Sequence, residues 1–205
     1  MIFNLILWDF GDTLADERWL LAPMVGRPDW PKLYRERVAD AALGSLWNKG
    51  AISMKDVAAD LAGALAVSVD SVIAHMDACS RRVQFFPRVM AFVEGCVTPQ
   101  AIVTVNPDLF TNVVVPQYRL DRHVDLIVAS WQQGTEDKSA LCECAIAQLG
   151  IAAPLRECLL VDNRADNVAD WRSKGGTAYH FRGEDAFCEE FVPMITGRPL
   201  STPQR

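Results

Sequence analysis

The chain lacks any cluster of lysine and arginine residues. Its 205 residues carry a formal net charge of −6, and the basic residues are scattered along the whole length. A protein that binds nucleic acid needs a concentrated basic surface that contacts phosphates. We therefore expect no nucleic-acid partner.

A long apolar segment is also missing. The first eight residues are largely apolar, but no basic residue flanks them, and Asp9 and Asp12 end the run. A membrane-spanning helix needs about 20 predominantly apolar residues, and a signal peptide carries a basic flank. We therefore expect neither a membrane span nor a signal peptide, and a cytoplasmic location.

The six cysteines show no framework spacing. Cys142 and Cys144 are two residues apart on a predicted helix and therefore do not share a face. This distribution predicts reduced thiols, most of them buried, and no disulfides.

Five short apolar runs predict strands, and helical patterns alternate with the last four, as is typical of βαβ units. Ser139–Leu149 and Asn167–Lys174 are predicted helices, each followed by glycine. Right-handed crossovers then give an α/β fold of three layers, a Rossmann-like parallel sheet between helices. The predicted strands are Ile2–Trp8, Ala101–Val105, Val124–Ala129, Cys158–Val161 and Thr177–Phe181.

The segment between the first two strands is too long for a simple connection and has no strand pattern. It predicts helices over Pro31–Lys49, over Met54–Leu65 after an N-cap at Ser53, and from Ser68 to about Ala78. We therefore predict an all-helical insertion at residues 15–84, within an α/β core formed by residues 1–14 and 85–205. Its position beside the acidic turn at Asp9 suits a lid.

Polar residues follow four of the predicted strands. Each has an ordinary structural explanation by itself, such as a helix N-cap, a strand-end hydroxyl or a solvated helix start. Their shared position favours a ligand site, because the carboxyl ends of parallel strands meet at one edge of the sheet. The residues are Asp9, Asp12, Thr13, Thr104, Asn106, Lys138, Asp162 and Asp166.

These residue types suit metal-assisted chemistry. Carboxylates brought together repel one another, and oxygen ligands at this density favour Mg²⁺, which also binds phosphate oxygens. Asp9 can then attack an electrophile whose charge the metal neutralises. A nearby lysine offsets the remaining negative charge, while a hydroxyl and backbone N–H groups hold the transferring group.

The pattern resembles the haloacid dehalogenase (HAD) superfamily of hydrolases, with a small helical cap of the C1 type. Four motifs carry the resemblance, and they occur in the order that the family has. The resemblance implies a sheet of strand order 5-4-1-2-3. The motifs are the apolar strand ending in Asp9-Phe10-Gly11-Asp12-Thr13-Leu14, then Ala101–Thr104 with Asn106, then Lys138 before a helix, and finally Leu159–Asp166 before Gly175-Gly176.

The resemblance also implies roles for individual residues. Asp9 would be the nucleophile that forms an aspartyl intermediate, Thr104 would hold the phosphoryl group, and Lys138 would steady Asp9 and the substrate. The metal ligands implied are Asp9, the carbonyl of Gly11, Asp162 and, directly or through water, Asp166. The residues expected to bind substrate are Phe10, Gly11, Asp12, Thr13, Asn106 and Arg18.

One position departs from the family. Phosphatases of this kind have a second aspartate two residues after the nucleophile, and this chain has Gly11 there. Three functions stay open: a Mg²⁺-dependent phosphatase of a small phosphorylated metabolite, a dehalogenase- or phosphonatase-like hydrolase, and a non-catalytic protein that binds phosphate and metal. Asp162 and Asp166 argue against halide displacement, because dehalogenases usually lose the metal-binding acid. We expect a monomer or a homodimer.

Overall fold

Five parallel strands form a single sheet in a computed structural model that describes residues 3–196. The strand order is β3-β2-β1-β4-β5, which is the predicted order 5-4-1-2-3 read from the opposite edge. The α/β fold class is therefore confirmed, although Ile2 of the first predicted strand lies outside the described residues. The strands are β1 (Leu5–Trp8), β2 (Gln100–Thr104), β3 (Leu126–Ala129), β4 (Cys158–Asp162) and β5 (Thr177–His180).

The register of the central strands brings the acidic residues together. Trp8 at the end of β1 pairs with Ile102 of β2 and with Val161 of β4. The backbone N–H of Asp9 then donates to the carbonyl of Val161 at 2.9 Å. Asp9 therefore emerges from the sheet directly beside Asp162.

Helices cover both faces of the sheet and fill the segment between β1 and β2. Tighter 3₁₀ turns form at Glu17–Leu21, Leu120–Arg122 and Leu155–Glu157, and wider π turns at Arg35–Ala39, Phe110–Val114 and Phe187–Phe191. The α-helices are α1 (Trp30–Tyr34), α2 (Ala42–Asn48), α3 (Met54–Leu65), α4 (Val69–Ser80), α5 (Pro87–Gly95), α6 (Val115–Tyr118), α7 (Ser130–Gln133), α8 (Lys138–Gln148), α9 (Ala165–Ser173), α10 (Glu184–Ala186) and α11 (Val192–Thr196).

Alternate side chains of β1 enter two different cores, as the pleat of a strand requires. Ile6 and Trp8 pack on one face with residues of α5 and of the C-terminal helices. Leu5 and Leu7 pack on the other face with residues of α8 and α9. Apolar residues on both faces keep the sheet between two helical layers, so only its edges and strand ends are free to form a site.

Residues between β1 and α5 form a helical insertion around a further apolar cluster. Trp30, Trp47 and Leu61 are buried in this cluster, together with other residues of α1 to α4 and with Leu109, which follows β2. The chain enters and leaves through two adjacent segments, which we call the neck. There the N–H of Asp16 donates to the carbonyl of Gln84, and that of Phe86 to the carbonyl of Leu14, both at 2.9 Å.

The prediction of a single helix over Pro31–Lys49 is wrong. The chain leaves helical geometry at Asp40 and Ala41, and α2 begins anew at Ala42. Gly44 packs against the Val38 carbonyl so closely that a Cβ at residue 44 would lie 2.1 Å from that oxygen. The break lets Trp47 enter the same apolar cluster as Val38.

The other helical predictions agree with the structure to within a few residues at each end. α3 has the predicted bounds, with Ser53 as its N-cap and Asp56 completing a reciprocal capping box. α4 runs to Ser80 instead of ending near Ala78. These helices carry local start signals, which is why their positions could be read from the sequence.

The described residues also bear on the predictions about membranes and thiols. No single helix among them is long and apolar enough to cross a membrane; only α3 and α4 taken together reach that composition, and they meet at 115°. All six cysteines lie in the described part of the chain and are free thiols.

Candidate active site

Lys138 links two buried carboxylates at the carboxyl edge of the sheet. Its Nζ lies 2.6 Å from an oxygen of Asp9 and 3.3 Å from an oxygen of Asp162. It also donates to the carbonyl of Val103 at 2.8 Å. Three strand ends and the start of α8 are thereby joined through one ammonium group, which brings together three of the predicted site residues, Asp9, Lys138 and Asp162.

The three groups carry an unbalanced charge. When all are ionised they sum to one negative charge, and the side chains of Lys138 and Asp162 are 3% and 0% exposed. Burial raises the pKa of Asp9, and Lys138 only partly opposes that shift. Burial also disfavours the charge of Lys138, but Asp9 and Asp162 outweigh it and raise the lysine pKa. The site therefore favours a further positive charge.

Asp162 is held in place by the residues that follow β4. The N–H of Arg164 donates to its Oδ1 at 2.8 Å. Asn167, in the first turn of α9, donates from Nδ2 to both carboxylate oxygens at 3.1 and 3.0 Å. The sequence analysis missed Asn167; its spacing of five residues from Asp162 was the only available signal.

Thr104 lies at the end of β2 and is buried. Asn106 donates from Nδ2 to its hydroxyl oxygen at 2.7 Å. The two predicted residues therefore form one polar unit, and both line the cavity above the sheet edge.

The turn after β1 has a demanding backbone. Asp12 has a φ of 50°, in the left-handed region where glycine is favoured and aspartate is tolerated. Its carboxylate accepts the N–H of Glu17 at 3.1 Å. Thr13 is fully buried, and its hydroxyl has no hydrogen-bond partner among the described residues. Phe10 is buried as well and packs on Phe110.

Glu17, one of the charged residues that follow the acidic turn directly, also lines the cavity. It begins the 3₁₀ turn Glu17–Leu21, next to the acidic turn, and it lines the same cavity as Asp9. Its side chain is open to the cavity, yet the surrounding protein limits its hydration and raises its pKa, and Asp12 and Asp9 add to that shift.

Arg18 and Asp166 line the cavity but do not join the buried cluster. Arg18 is 73% exposed, and its guanidinium pairs with Asp16 instead of with the buried carboxylates. Asp166 is 64% exposed and pairs with Arg164 at 2.6 Å. Their predicted roles in substrate and metal binding stay predictions.

The cavity lies between the sheet edge and the helical insertion and measures about 1370 Å³. The sheet edge contributes residues such as Asp9 and Lys138, and the insertion contributes others, such as Tyr34, Arg35 and Trp47. The space is large enough to hold a small metabolite together with an ion and water.

The donor set suits Mg²⁺ more than a transition metal. Among residues 3–196, no group of three or more His, Cys, Asp or Glu side chains converges on one point. Asp9 and Asp162 nevertheless supply two neighbouring carboxylates with excess negative charge. Mg²⁺ commonly takes one or two carboxylates and completes its shell with water and substrate phosphate oxygens. The residues therefore fit this ion.

No protein-family model and no curated protein matches the sequence. Solved structures match its fold. One is a predicted HAD-like family hydrolase from Porphyromonas gingivalis, with a TM-score of 0.70, 17% identity, and coverage of 96% of this chain and 98% of that one.

Two further solved structures connect the fold with chemistry. A HAD family enzyme from Bacteroides thetaiotaomicron, an aspartate-to-alanine mutant in complex with magnesium and inorganic phosphate, has a TM-score of 0.67 at 12% identity, covering 89% of this chain and 96% of its own. L-2-haloacid dehalogenase from Xanthobacter autotrophicus has a TM-score of 0.64 at 16% identity, covering 94% and 83%. The chain therefore has the fold of the HAD-like hydrolases, as its motifs predicted.

Proposed function

We propose that this protein is a Mg²⁺-dependent phosphatase that hydrolyses a small phosphorylated metabolite through an aspartyl phosphate on Asp9. The observation that carries the proposal is the buried cluster in which Lys138 joins Asp9 to Asp162. The cluster fixes the orientation of the Asp9 carboxylate and keeps it largely free of water where it borders the cavity. This is the arrangement that a nucleophilic carboxylate needs.

The residues around Asp9 divide the work of phosphoryl transfer. One Asp9 oxygen attacks phosphorus while the other accepts from Lys138. The ammonium group also neutralises charge on the transferring phosphoryl oxygens, and the hydroxyl of Thr104 donates to one of them. Mg²⁺, held by Asp9 and Asp162, would add Lewis-acid neutralisation of the phosphoryl group when bound.

The comparisons support this choice of substrate class. The enzyme from B. thetaiotaomicron that shares the fold is described in complex with magnesium and inorganic phosphate. We propose that this chain binds the same two species at Asp9, Asp162 and Lys138. We also propose that residues 15–84 act as a cap whose side chains select the substrate.

A non-catalytic role is the second candidate, because Gly11 removes the usual acid of the family. A binding protein of this kind would keep phosphate and Mg²⁺ affinity without turnover. Displacement of halide is the third, because the dehalogenase from X. autotrophicus shares the fold. The pair of buried acids at Asp9 and Asp162 favours phosphoryl transfer over it.

The test is hydrolysis of 4-nitrophenyl phosphate with and without Mg²⁺, by the wild type and by Asp9→Asn. We expect Mg²⁺-dependent turnover by the wild type and none by the variant. Glu36→Gln is the matched control, because Glu36 pairs with Lys32 on the insertion surface and does not line the cavity. Equal activity in Asp9→Asn would overturn the nucleophile assignment, and phosphate binding without turnover would favour the second candidate.

A further inference from the structure

The space beside Gly11 is filled by a carboxylate from another residue. A Cβ placed on Gly11 would lie 3.1 Å from Oε2 of Glu17 and 3.2 Å from its Cβ. An aspartate at residue 11 would extend its carboxylate from that same Cβ. The side chain of Glu17 therefore borders the place that the missing acid would take.

Glu17 is held there by the turn itself. Its N–H donates to Oδ1 of Asp12, a residue whose backbone is in the left-handed region. Asp16 caps the short helix that follows by accepting the N–H of Arg18 at 2.8 Å. The backbone of Glu17 is thus fixed, while its carboxylate has no hydrogen-bond or ion-pair partner within residues 3–196 and faces the cavity.

Asp12 is less suited than Glu17 to replace the acid that is absent at residue 11. Its Oδ1 accepts the N–H of Glu17, so that oxygen already satisfies the backbone of the following turn. Removing this carboxylate would release the turn, whereas the carboxylate of Glu17 has no hydrogen-bond or ion-pair partner among the described residues to lose. Of the two acidic side chains beside Gly11, Glu17 is the one free to act on a substrate.

We propose that Glu17 is the catalytic acid and base of this site and replaces the carboxylic acid absent at residue 11. The inference rests on the proposed phosphatase function. In the first step Asp9 bonds to phosphorus, the bond from phosphorus to the ester oxygen breaks, and protonated Glu17 gives its proton to that oxygen. In the second step Glu17 takes a proton from water as the water oxygen attacks phosphorus, which frees Asp9 and phosphate.

The first experiment compares leaving groups in Glu17→Gln. With an alkyl phosphate, whose leaving group needs a proton, turnover falls by roughly 10²–10⁴-fold. With 4-nitrophenyl phosphate, one equivalent of nitrophenolate per site is released in a fast burst, and steady turnover is then slow because water lacks its base. A merely structural role would lower both reactions together and give no burst.

The second experiment places a carboxylate at residue 11 and removes the one at residue 17. Gly11→Asp/Glu17→Ala should recover alkyl phosphate turnover at least about tenfold over Glu17→Ala, within the range that acid–base catalysis supplies. The matched control is Gly11→Asn/Glu17→Ala, because asparagine has nearly the shape of aspartate but cannot donate or accept the proton as an acid. This variant should not recover alkyl phosphate turnover. Gly11→Asp alone should gain nothing, because the two carboxylates would then crowd each other.

Magnesium binding separates this role from metal ligation. Calorimetric titration of Mg²⁺ in the presence of inorganic phosphate should give Glu17→Gln the affinity of the wild type. A loss as large as that of Asp162→Asn would overturn the inference and make Glu17 a ligand. An active wild type with an unchanged Glu17→Gln would overturn the inference alone, whereas an inactive wild type would overturn the proposed function as well.

Discussion

Lys138 is the one buried lysine among the described residues, and its burial is possible only because two carboxylates surround it. A buried ion costs several kcal/mol of desolvation unless its partners compensate. Here the partners exceed what one lysine can neutralise, and the pKa of Asp9 is raised as a result. The cluster is therefore arranged for binding a cation more than for stability.

Lys138→Met should lower the free energy of unfolding by roughly 3–5 kcal/mol at neutral pH without Mg²⁺, because it leaves two buried carboxylates unpaired. Asp9 would then bind a proton more readily in the folded state than in the unfolded chain. Because the folded state holds the extra proton, stability rises as pH falls through the folded pKa of Asp9. Thermal unfolding between about pH 8 and pH 5 measures this recovery.

Lys32→Met is the control for that change, because Lys32 is 79% exposed and its one ion pair within residues 3–196 is with Glu36. It should leave the free energy of unfolding nearly unchanged, since exposed ion pairs contribute about 0–1 kcal/mol. If Lys138→Met were no less stable than Lys32→Met, the charge balance inferred for the buried cluster would be incorrect.

The sequence was informative about residues that follow strands. Asp9, Lys138 and Asp162 could be predicted to meet because parallel strands end at one edge of the sheet. Glu17 and Asn167 could not, because their positions depend on a left-handed turn at Asp12 and on the first turn of α9. Neither feature has a spacing rule that a single sequence displays.

At the scale of elements, local signals decided what the sequence revealed. α3 could be predicted to the residue because its capping box is encoded within four positions, Ser53 to Asp56. The break between α1 and α2 could not, because it depends on the close approach of Gly44 to the carbonyl of Val38. That contact arises only when the apolar cluster of the insertion forms.

Ser53→Ala should lower the free energy of unfolding by about 1 kcal/mol, because it removes the N-cap of α3. For a chain of this length, this corresponds to a decrease in melting temperature of about 2–4 °C. Ser53→Asn keeps an accepting oxygen and should retain most of the stability in the same thermal measurement. Equal melting temperatures for Ser53→Ala and the wild type would show that the cap does not stabilise the folded state.

At the scale of the whole molecule, polar contacts fix the insertion over the sheet edge. Asp108, after β2, accepts from Nε1 of the buried Trp47 at 2.7 Å and from the N–H of Met54 at 3.2 Å. Glu136, before α8, accepts from Ser45 at 2.6 Å and from Asn48 at 3.1 Å. These carboxylates belong to the core, and their donors belong to the insertion.

Asp108→Ala should loosen the insertion without unfolding the sheet. The indole N–H of Trp47 would lose its acceptor, at a cost of roughly 1–3 kcal/mol for an unsatisfied buried donor. Hydrogen exchange of backbone amides should therefore quicken in α2 and α3 and stay unchanged in β1 and β4.

Asp108→Asn keeps an acceptor for Trp47 and should exchange more slowly than Asp108→Ala in the same segments. If α2 and α3 kept wild-type protection in Asp108→Ala, the insertion would have to be held by its other contacts alone.

The neck has a consequence for how such a protein diverges. Its entry and exit segments are joined by hydrogen bonds between Asp16 and Gln84 and between Leu14 and Phe86, so the sheet has the same boundary whatever lies beyond them. Substitutions of insertion residues that line the cavity can then accumulate while Asp9 and Lys138 keep their positions at the sheet edge. Glu17 lies just beyond this boundary, so a rearrangement of the insertion can move its carboxylate relative to Gly11 while the sheet stays unchanged.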